Sequence, residues 1–508
     1  MPNPYLRKNT EKINEEVREL PHGRRNPKPA LRLLLSQLLK RDGHHHKVSL
    51  TKCGVILAFV LCFATLTRAN QQSQELKPCA TDPTYKIFES RQQDLYESLP
   101  AAKAELIEHI RLAKLGPDEL IKAIRPLPNV LNVSPYSRSL LQYGAAKAAS
   151  SEMQTCFEDP LTFAAIEEGI RRLDQARRAM NLKGSMPKFG SLPLKDINAY
   201  RYYFGETGGT VLAFNDGLWR THFPDIAAAS VRRDRIQEFS YRVSKRPEEE
   251  ILNDILAHPE WGTSVEADIL AGVGLPAPPQ PLTDEVDVNL AVSLQYGMTL
   301  FVIAHEFSHE ILGHHPASMA SLATQTKGGA PDDLEISRVR WSWVQEIEAD
   351  LLGIELVLRS LKDSFNDAGK RSRDAWLVAA EGAMLVFLNQ DMLERAKFAK
   401  DSGVAPPPPL TIDERNAIAQ IIQVDNSAEA AKKLPTLQLR DDHPSTLVRA
   451  EIIHMHLARA AHKRGVSKAA FEGYRLGEEA FVNMEVLCQM AEPAVLHQIL
   501  TSAPKKHE

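Results

Sequence analysis

The sequence is poor in cysteine: five in 508 residues, at 53, 62, 79, 156 and 488, with no CxxC pair among them. That excludes a thiolate-ligated zinc module or a disulfide-dense framework. Beyond residue 69 the chain also has no uncharged apolar run of membrane length. Residues 376–388 come nearest, and Glu381 interrupts them, so the body is not a bundle of spanning helices. A basic surface interleaved with aromatics is missing after residue 52, which removes nucleic acid as a partner. No internal repeat is present, and a 43% hydrophobic content suits a chain that buries a sizeable core across two or three domains.

The small net charge of -4 conceals a divided chain. Residues 1–52 carry twelve Lys/Arg against five Asp/Glu, so everything after them is acidic by about eleven charges. Directly behind this basic head lies an uncharged apolar stretch, residues 53–67, followed by Thr67-Arg68-Ala69. Its length suits the apolar region of a secretory signal with a small-residue cleavage site, which predicts export to the periplasm or cell envelope. The head of about fifty residues is long for a signal peptide. Either the start lies further downstream, or 53–67 is an uncleaved anchor contacting the inner membrane. Past Ala69, an oxidising compartment allows one disulfide among Cys79, Cys156 and Cys488, Cys79–Cys156 being one pairing, with an odd thiol left over.

One pentapeptide names a chemistry. His305-Glu306-Phe307-Ser308-His309 is an HExxH sequence, embedded in an apolar run that includes Leu294, Met298, Leu300, Phe301, Ile303 and Ala304 and ends at Gly313 and Pro316. On a helix, residues four apart share a face, so both imidazoles can bind one Zn²⁺ while Glu306 reaches the attacking water. The apolar surroundings place this helix at a domain centre, where histidines need partners. A catalytic zinc requires a third protein ligand and an open fourth position.

Three places offer that ligand: His315, the segment 341–353 and the segment 442–449 with His443. His315 stands ten residues after His305, as in the metzincin pattern, but the glycine that turns the chain back belongs seven residues after the first histidine; here Leu312 holds that position and Gly313 falls one late. His314 and His315 read instead as solvated residues at the helix end, where the dipole favours a cation. The second is the segment 341–353, an amphipathic helix on which Glu346 and Asp350 lie four apart. That spacing serves one carboxylate on the metal and one accepting the free ring N–H of a ligating histidine. Glu348 reads as part of an exposed acidic face.

Together, the HExxH sequence and Glu346-Ile347-Glu348-Ala349-Asp350 resemble the HExxH and ExxAD motifs of the gluzincin peptidases that include HtpX, the CaaX prenyl proteases and the BepA-type proteins. Asp442-His443-Pro444-Ser445-Thr446-Leu447-Val448-Arg449 is similar to that family's HPxxxxR motif. The resemblance implies zinc held by His305, His309 and Glu346, catalysis by Glu306 with His443 near the zinc or the oxyanion, and support from Asp350 and Arg449. A weaker similarity runs from Asn198 to Leu218, where the family carries a strand whose edge accepts an extended substrate chain. Several membrane helices typical of HtpX and CaaX proteases are lacking, and His309 and Glu346 are closer in sequence than the family's pattern has them.

The expected architecture is mainly α (α+β): a zincin-like metallopeptidase domain with a small sheet beside the HExxH helix, plus helical N- and C-terminal regions. Boundaries are expected at 1–52 (basic extension), 53–69 (signal or anchor), 70–190 (helical accessory region), 191–400 (metallopeptidase core) and 411–495 (helical C-terminal region carrying the HPxxxxR motif). The expected function is a metalloendopeptidase with one Zn²⁺ per chain acting on protein or peptide substrates, with a role in protein quality control compatible with that reading. The rivals are a non-catalytic zinc scaffold with a closed site and a cytoplasmic regulatory HExxH protease. Sequence leaves the oligomeric state and the natural substrate open.

Overall fold

The structure, a computed structural model, describes residues 76–116, 135–150, 152–194, 198–218, 285–314, 331–362, 368–411, 445–462 and 466–502, with a few isolated positions between them. The basic head and the apolar stretch 53–67 lie outside the described residues. All described residues belong to one compact unit, Glu75–Glu508. The fold is mainly helical, with one small mixed sheet.

Four helices come first: α1 (Pro83–Ser98), α2 (Pro100–Leu115), α3 (Pro135–Ser150) and α4 (Pro160–Ala179). Each opens on proline, whose missing N–H costs nothing at the first helical position. Asp82 and Asp159 stand just ahead of α1 and α4 and accept hydrogen bonds from the backbone N–H groups of Thr84 and Tyr85, and of Leu161 and Thr162.

Three strands follow: β1 (Lys188–Leu192), β2 (Ala199–Phe204) and β3 (Gly209–Asn215), in the order β1-β3-β2. The β2–β3 pair is an antiparallel hairpin closed near Gly208, which takes φ 62°, while β1 joins β3 in parallel. Sequence texture around Tyr202–Phe204 and Thr210–Phe214 points to β2 and β3. β1 carries no such signature, being a five-residue segment with glycine and serine at its centre.

Among the described residues five further helices follow: α5 (Glu285–Leu312), α6 (Pro331–Lys362), α7 (Ala368–Ser402), α8 (Thr446–Ala461) and α9 (Lys468–Ser502). α5, which carries the HExxH sequence, packs against α4, α6, α7 and β2. Its buried Met298, Leu300, Phe301, Ile303, Ala304 and Phe307 join one continuous core with Ile166, Ile170 and Leu173 of α4 and residues of α7 and α9. The helix is therefore apolar nearly all round because it is surrounded. The segment 160–179 shares this core with the later helices.

Close helix approach fixes the site. A Cβ at Gly353 of α6 would stand 3.2 Å from the His305 backbone nitrogen, and one at Gly382 of α7 would meet the Gly297 carbonyl carbon at 2.9 Å. Glycine at these crossings lets α6 and α7 lie against α5 nearly backbone to backbone. Ala349, one turn before Gly353, is fully buried. This row of small residues brings Glu346 and Asp350, beside it on the helix, up to the histidines.

Away from α5, the N-terminal helices are tied to the sheet by polar links. A Cys79–Cys156 disulfide joins the segment before α1 to the segment before α4, and the remaining described cysteine, Cys488, is buried and outside any disulfide. Glu158, wholly buried, accepts hydrogen bonds from Gln92 Nε2 (3.0 Å) and from the Ser191 backbone N–H and hydroxyl (2.8 Å each). Burial pushes its carboxyl up to about 7 against those bonds.

Candidate metal centre

His305 and His309 are one helical turn apart on α5, so their rings lean over the same surface and face Glu346 on α6. The two Nε2 atoms are 3.2 Å apart. His305 Nε2 lies 3.3 Å from Glu346 Oε2, and His309 Nε2 lies 3.4 Å from Glu346 Oε1. Ligand bonds of about 2.0–2.2 Å to a tetrahedral metal imply ligand–ligand edges of roughly 3.4 Å. The two ring nitrogens and the carboxylate of Glu346 therefore stand at the spacing of donors around one such ion, the nitrogens facing different oxygens of the carboxylate. Among the described residues no fourth His, Cys, Asp or Glu joins this group.

Glu306, between the two histidines in sequence, brings Oε1 to 4.0 Å from His305 Nε2. Its carboxylate thus borders the same point from the helix side without occupying a donor position. Ser308, the remaining polar residue of the pentapeptide, turns away and donates its hydroxyl to the Ala304 carbonyl at 2.6 Å.

Behind the donors lies a buried ionic layer. His305 Nδ1 meets Asp350 Oδ1 at 2.8 Å, and Asp350, only 1% exposed, is gripped by Arg449 through Nε to Oδ2 (2.7 Å) and Nη2 to Oδ1 (2.8 Å). Arg449 Nη2 also lies 3.4 Å from Glu346 Oε2, and its guanidinium stacks over Phe387 of α7 at 4.8 Å. Burial works against charge on Asp350, but Arg449 and His305 outweigh it and hold the carboxyl below its usual range. Desolvation likewise opposes charging of His305, yet Asp350 and Glu346 raise the imidazole to about 10. Two carboxylates thus flank the ring and favour positive charge beside it.

His314 is not the solvated helix-end residue that its sequence position suggests. It is 6% exposed, with Nδ1 2.9 Å from His309 Nδ1 and Nε2 3.2 Å from Glu348 Oε2. The cause is the way α5 ends. Gly313 adopts φ 70°; its N–H bonds to the Glu310 carbonyl and the His314 N–H reaches back to the His309 carbonyl (2.9 Å). This glycine-ended helix terminus folds the second residue past the end over the residue five before it. Desolvation, then the neighbouring charges of His309 and Arg201, push His314 down to about 4. A neutral His314 accepts the Nδ1–H of His309 and donates its own Nε2–H to Glu348, which leaves the His309 Nε2 lone pair directed at the donor face. Glu348 is half exposed and supplies the end of this relay.

Of the residues singled out from sequence, the structure brings together His305, Glu306, His309, Glu346, Asp350 and Arg449. His443 and His315 lie outside the described residues. Two residues near the centre escape sequence reading: His314, for the reason above, and Phe387, whose ring supports Arg449. Among the described residues no helix is long and apolar enough to cross a membrane. No family model, curated protein or solved structure matches the chain.

Proposed function

We propose that the chain is a zinc-dependent metalloendopeptidase of the HtpX, CaaX-protease and BepA type, with a zincin-like core, acting on peptide bonds in an exported setting. The observation that carries this reading is the convergence of His305 Nε2, His309 Nε2 and Glu346 at 3.2–3.4 Å with Glu306 alongside. Two imidazoles and one carboxylate suit zinc, and a three-donor face leaves the fourth position for water or substrate. When bound there, zinc supplies Lewis acidity that activates water and polarises a carbonyl near neutral pH.

The chain's own residues do the rest. Glu306 is positioned to take a proton from the attacking water and deliver it to the departing amine. Asp350 accepts the Nδ1–H of His305 and so orients that ring; Arg449 holds Asp350 ionised and in place. His314 orients His309 in the same manner from the other side. Its Nδ1 is engaged with the ring nitrogen of His309 remote from the donor face, which weighs against a closed structural site capped by His314. His443 is assigned the neighbourhood of the oxyanion on the motif similarity alone. The Cys79–Cys156 disulfide supports an oxidising, extracytoplasmic compartment.

Purified full-length chain is expected to contain one zinc per molecule and to hydrolyse unstructured polypeptide. A strong chelator should stop the cleavage and added zinc should restore it. Chelator-insensitive cleavage, or a zinc-loaded chain inert towards polypeptides, would contradict the proposal.

A further inference from the structure

The α5 side of the sheet holds an arginine that makes no ion pair among the described residues. Side chains along β2 alternate between two faces. Tyr200, Tyr202 and Phe204 pack into the cluster around Phe88 of α1, whereas Ala199 packs against the core built on α5. Arg201 shares the Ala199 face, and β2 packs directly against α5. That face therefore turns towards α5, the helix that carries His305 and His309.

Arg201 is partly buried, its Nη1 is wholly buried without a hydrogen-bond partner, and among the described residues it makes no ion pair. The other inward-facing arginines are treated differently. Arg449 is paired with Asp350, Arg415 with Glu485, Arg395 with Glu492 and Arg177 with Asp174. Holding a guanidinium half out of water without a counter-ion is unfavourable unless something else supplies the anion. Planar, forked and permanently charged, this group is suited to one class of ligand above all, a carboxylate bound through paired hydrogen bonds. β2 pairs with β3 on one side only among the described residues, which leaves its other edge open to an extended chain lying beside Arg201.

We propose that Arg201 selects the substrate of this site by binding a carboxylate of the peptide chain. This inference rests on the peptidase reading above. The carboxylate comes from an acidic side chain or from the C-terminus of the substrate; the chemistry is the same and the test separates the two.

The test uses zinc-loaded full-length chain and matched peptides. One has a glutamate near the scissile bond and an amidated C-terminus, a second replaces that glutamate with glutamine, and a third has the glutamine with a free C-terminal carboxylate. A preference in kcat/KM of about tenfold to a hundredfold is expected for one of the carboxylate peptides over the second. Arg201→Gln should abolish this preference while leaving zinc content and hydrolysis of the neutral peptide within about twofold. Arg201→Lys should restore part of it, and Arg201→Glu should turn it towards a lysine-bearing peptide. A purely structural role would lower all peptides together. An acidic-to-neutral ratio near one in the native chain, or one unchanged by Arg201→Gln, overturns the proposal.

If the native chain cleaves none of the peptides, the peptidase reading fails on that result, and selection is then read from binding alone. Glu306→Gln protein, with and without Arg201→Gln, is titrated with the same labelled peptides. Tighter binding of a carboxylate peptide that vanishes with Arg201→Gln sustains the inference; equal binding, or none, refutes it.

Discussion

Among the described residues, two places gather metal-capable side chains, and they have opposite characters. Near the N-terminus, Cys79, Glu89 and Cys156 cluster closely enough to ligate an ion. Their binding capacity is already used. The two sulfurs are bonded to each other, and Glu89 accepts the backbone N–H groups of Cys79, Ala80 and Cys156 at 2.8–3.0 Å. In the second cluster His305, His309 and Glu346 direct donor atoms at one another, with a buried Asp350–Arg449 pair and the His314–Glu348 relay fixing the ring nitrogens behind them. Proximity is common to both clusters. What distinguishes the second cluster is that its two ring nitrogens are oriented from behind, whereas the sulfurs and the carboxylate of the first are bonded elsewhere.

The largest expected effect breaks the comparison at the donors. Glu346→Gln should lower zinc affinity by at least about a hundredfold, because one of three protein ligands is lost. Replacing Cys79 and Cys156 together by serine should leave zinc content unchanged and instead destabilise the fold by about 2–5 kcal/mol in chemical denaturation. If the cysteine double variant loses zinc and Glu346→Gln does not, the two clusters have been assigned the wrong way round.

A smaller effect is expected from the layer behind the donors. Asp350→Asn should weaken zinc binding by about tenfold to a hundredfold, measured by competition with a chelator of known affinity. It also leaves Arg449 buried beside a neutral group, so the melting temperature should fall as well. The relay on the other ring is more exposed at its far end, at half-exposed Glu348, and His314→Ala should cost about tenfold in zinc affinity. An effect of His314→Ala equal to that of Glu346→Gln would make it a ligand, and no effect would show that the relay orients nothing.

The smallest expected effect concerns a histidine that pairs with carboxylates for stability alone. His454 of α8 contacts Glu478 at 2.8 Å and Glu451 at 3.3 Å; burial opposes its charge, but the two carboxylates raise it to about 9. Because its folded pKa lies above the unfolded value of 6.5, the stabilisation is complete below about pH 6.5 and is lost as pH rises through 9. His454→Gln should therefore cost about 1–2 kcal/mol at pH 6 and little at pH 10, with zinc content unaffected throughout. Equal destabilisation at both pH values would show that the ring contributes packing and not charge.

These contrasts also explain how far the sequence could be read. The HExxH spacing is local, so a single helix periodicity brings His305, Glu306 and His309 together. Glu346 and Asp350 are legible because a carboxylate pair four apart is itself a helical pattern, although only Gly353 and Ala349, by allowing close helix approach, bring that pattern up to the histidines. His314 looked solvated because a histidine past a helix end normally is. The signal was Gly313, whose left-handed conformation reverses the chain and lays residue 314 on residue 309. β1 went unread because Lys-Phe-Gly-Ser-Leu has little strand character and becomes a strand only by pairing with β3. Arg201 was hidden for a similar reason: which face of β2 meets α5 is set by packing and not by the local pattern.

The central claim is that the donor face serves a reaction whose proton carrier is Glu306. The most direct measurement takes native and Glu306→Gln chains purified in parallel and determines zinc content and polypeptide hydrolysis on the same samples. The account predicts one zinc per chain in both and cleavage in the native chain alone, with the variant reduced by at least about a thousandfold. Undiminished cleavage by Glu306→Gln, or zinc absent from both, would contradict it.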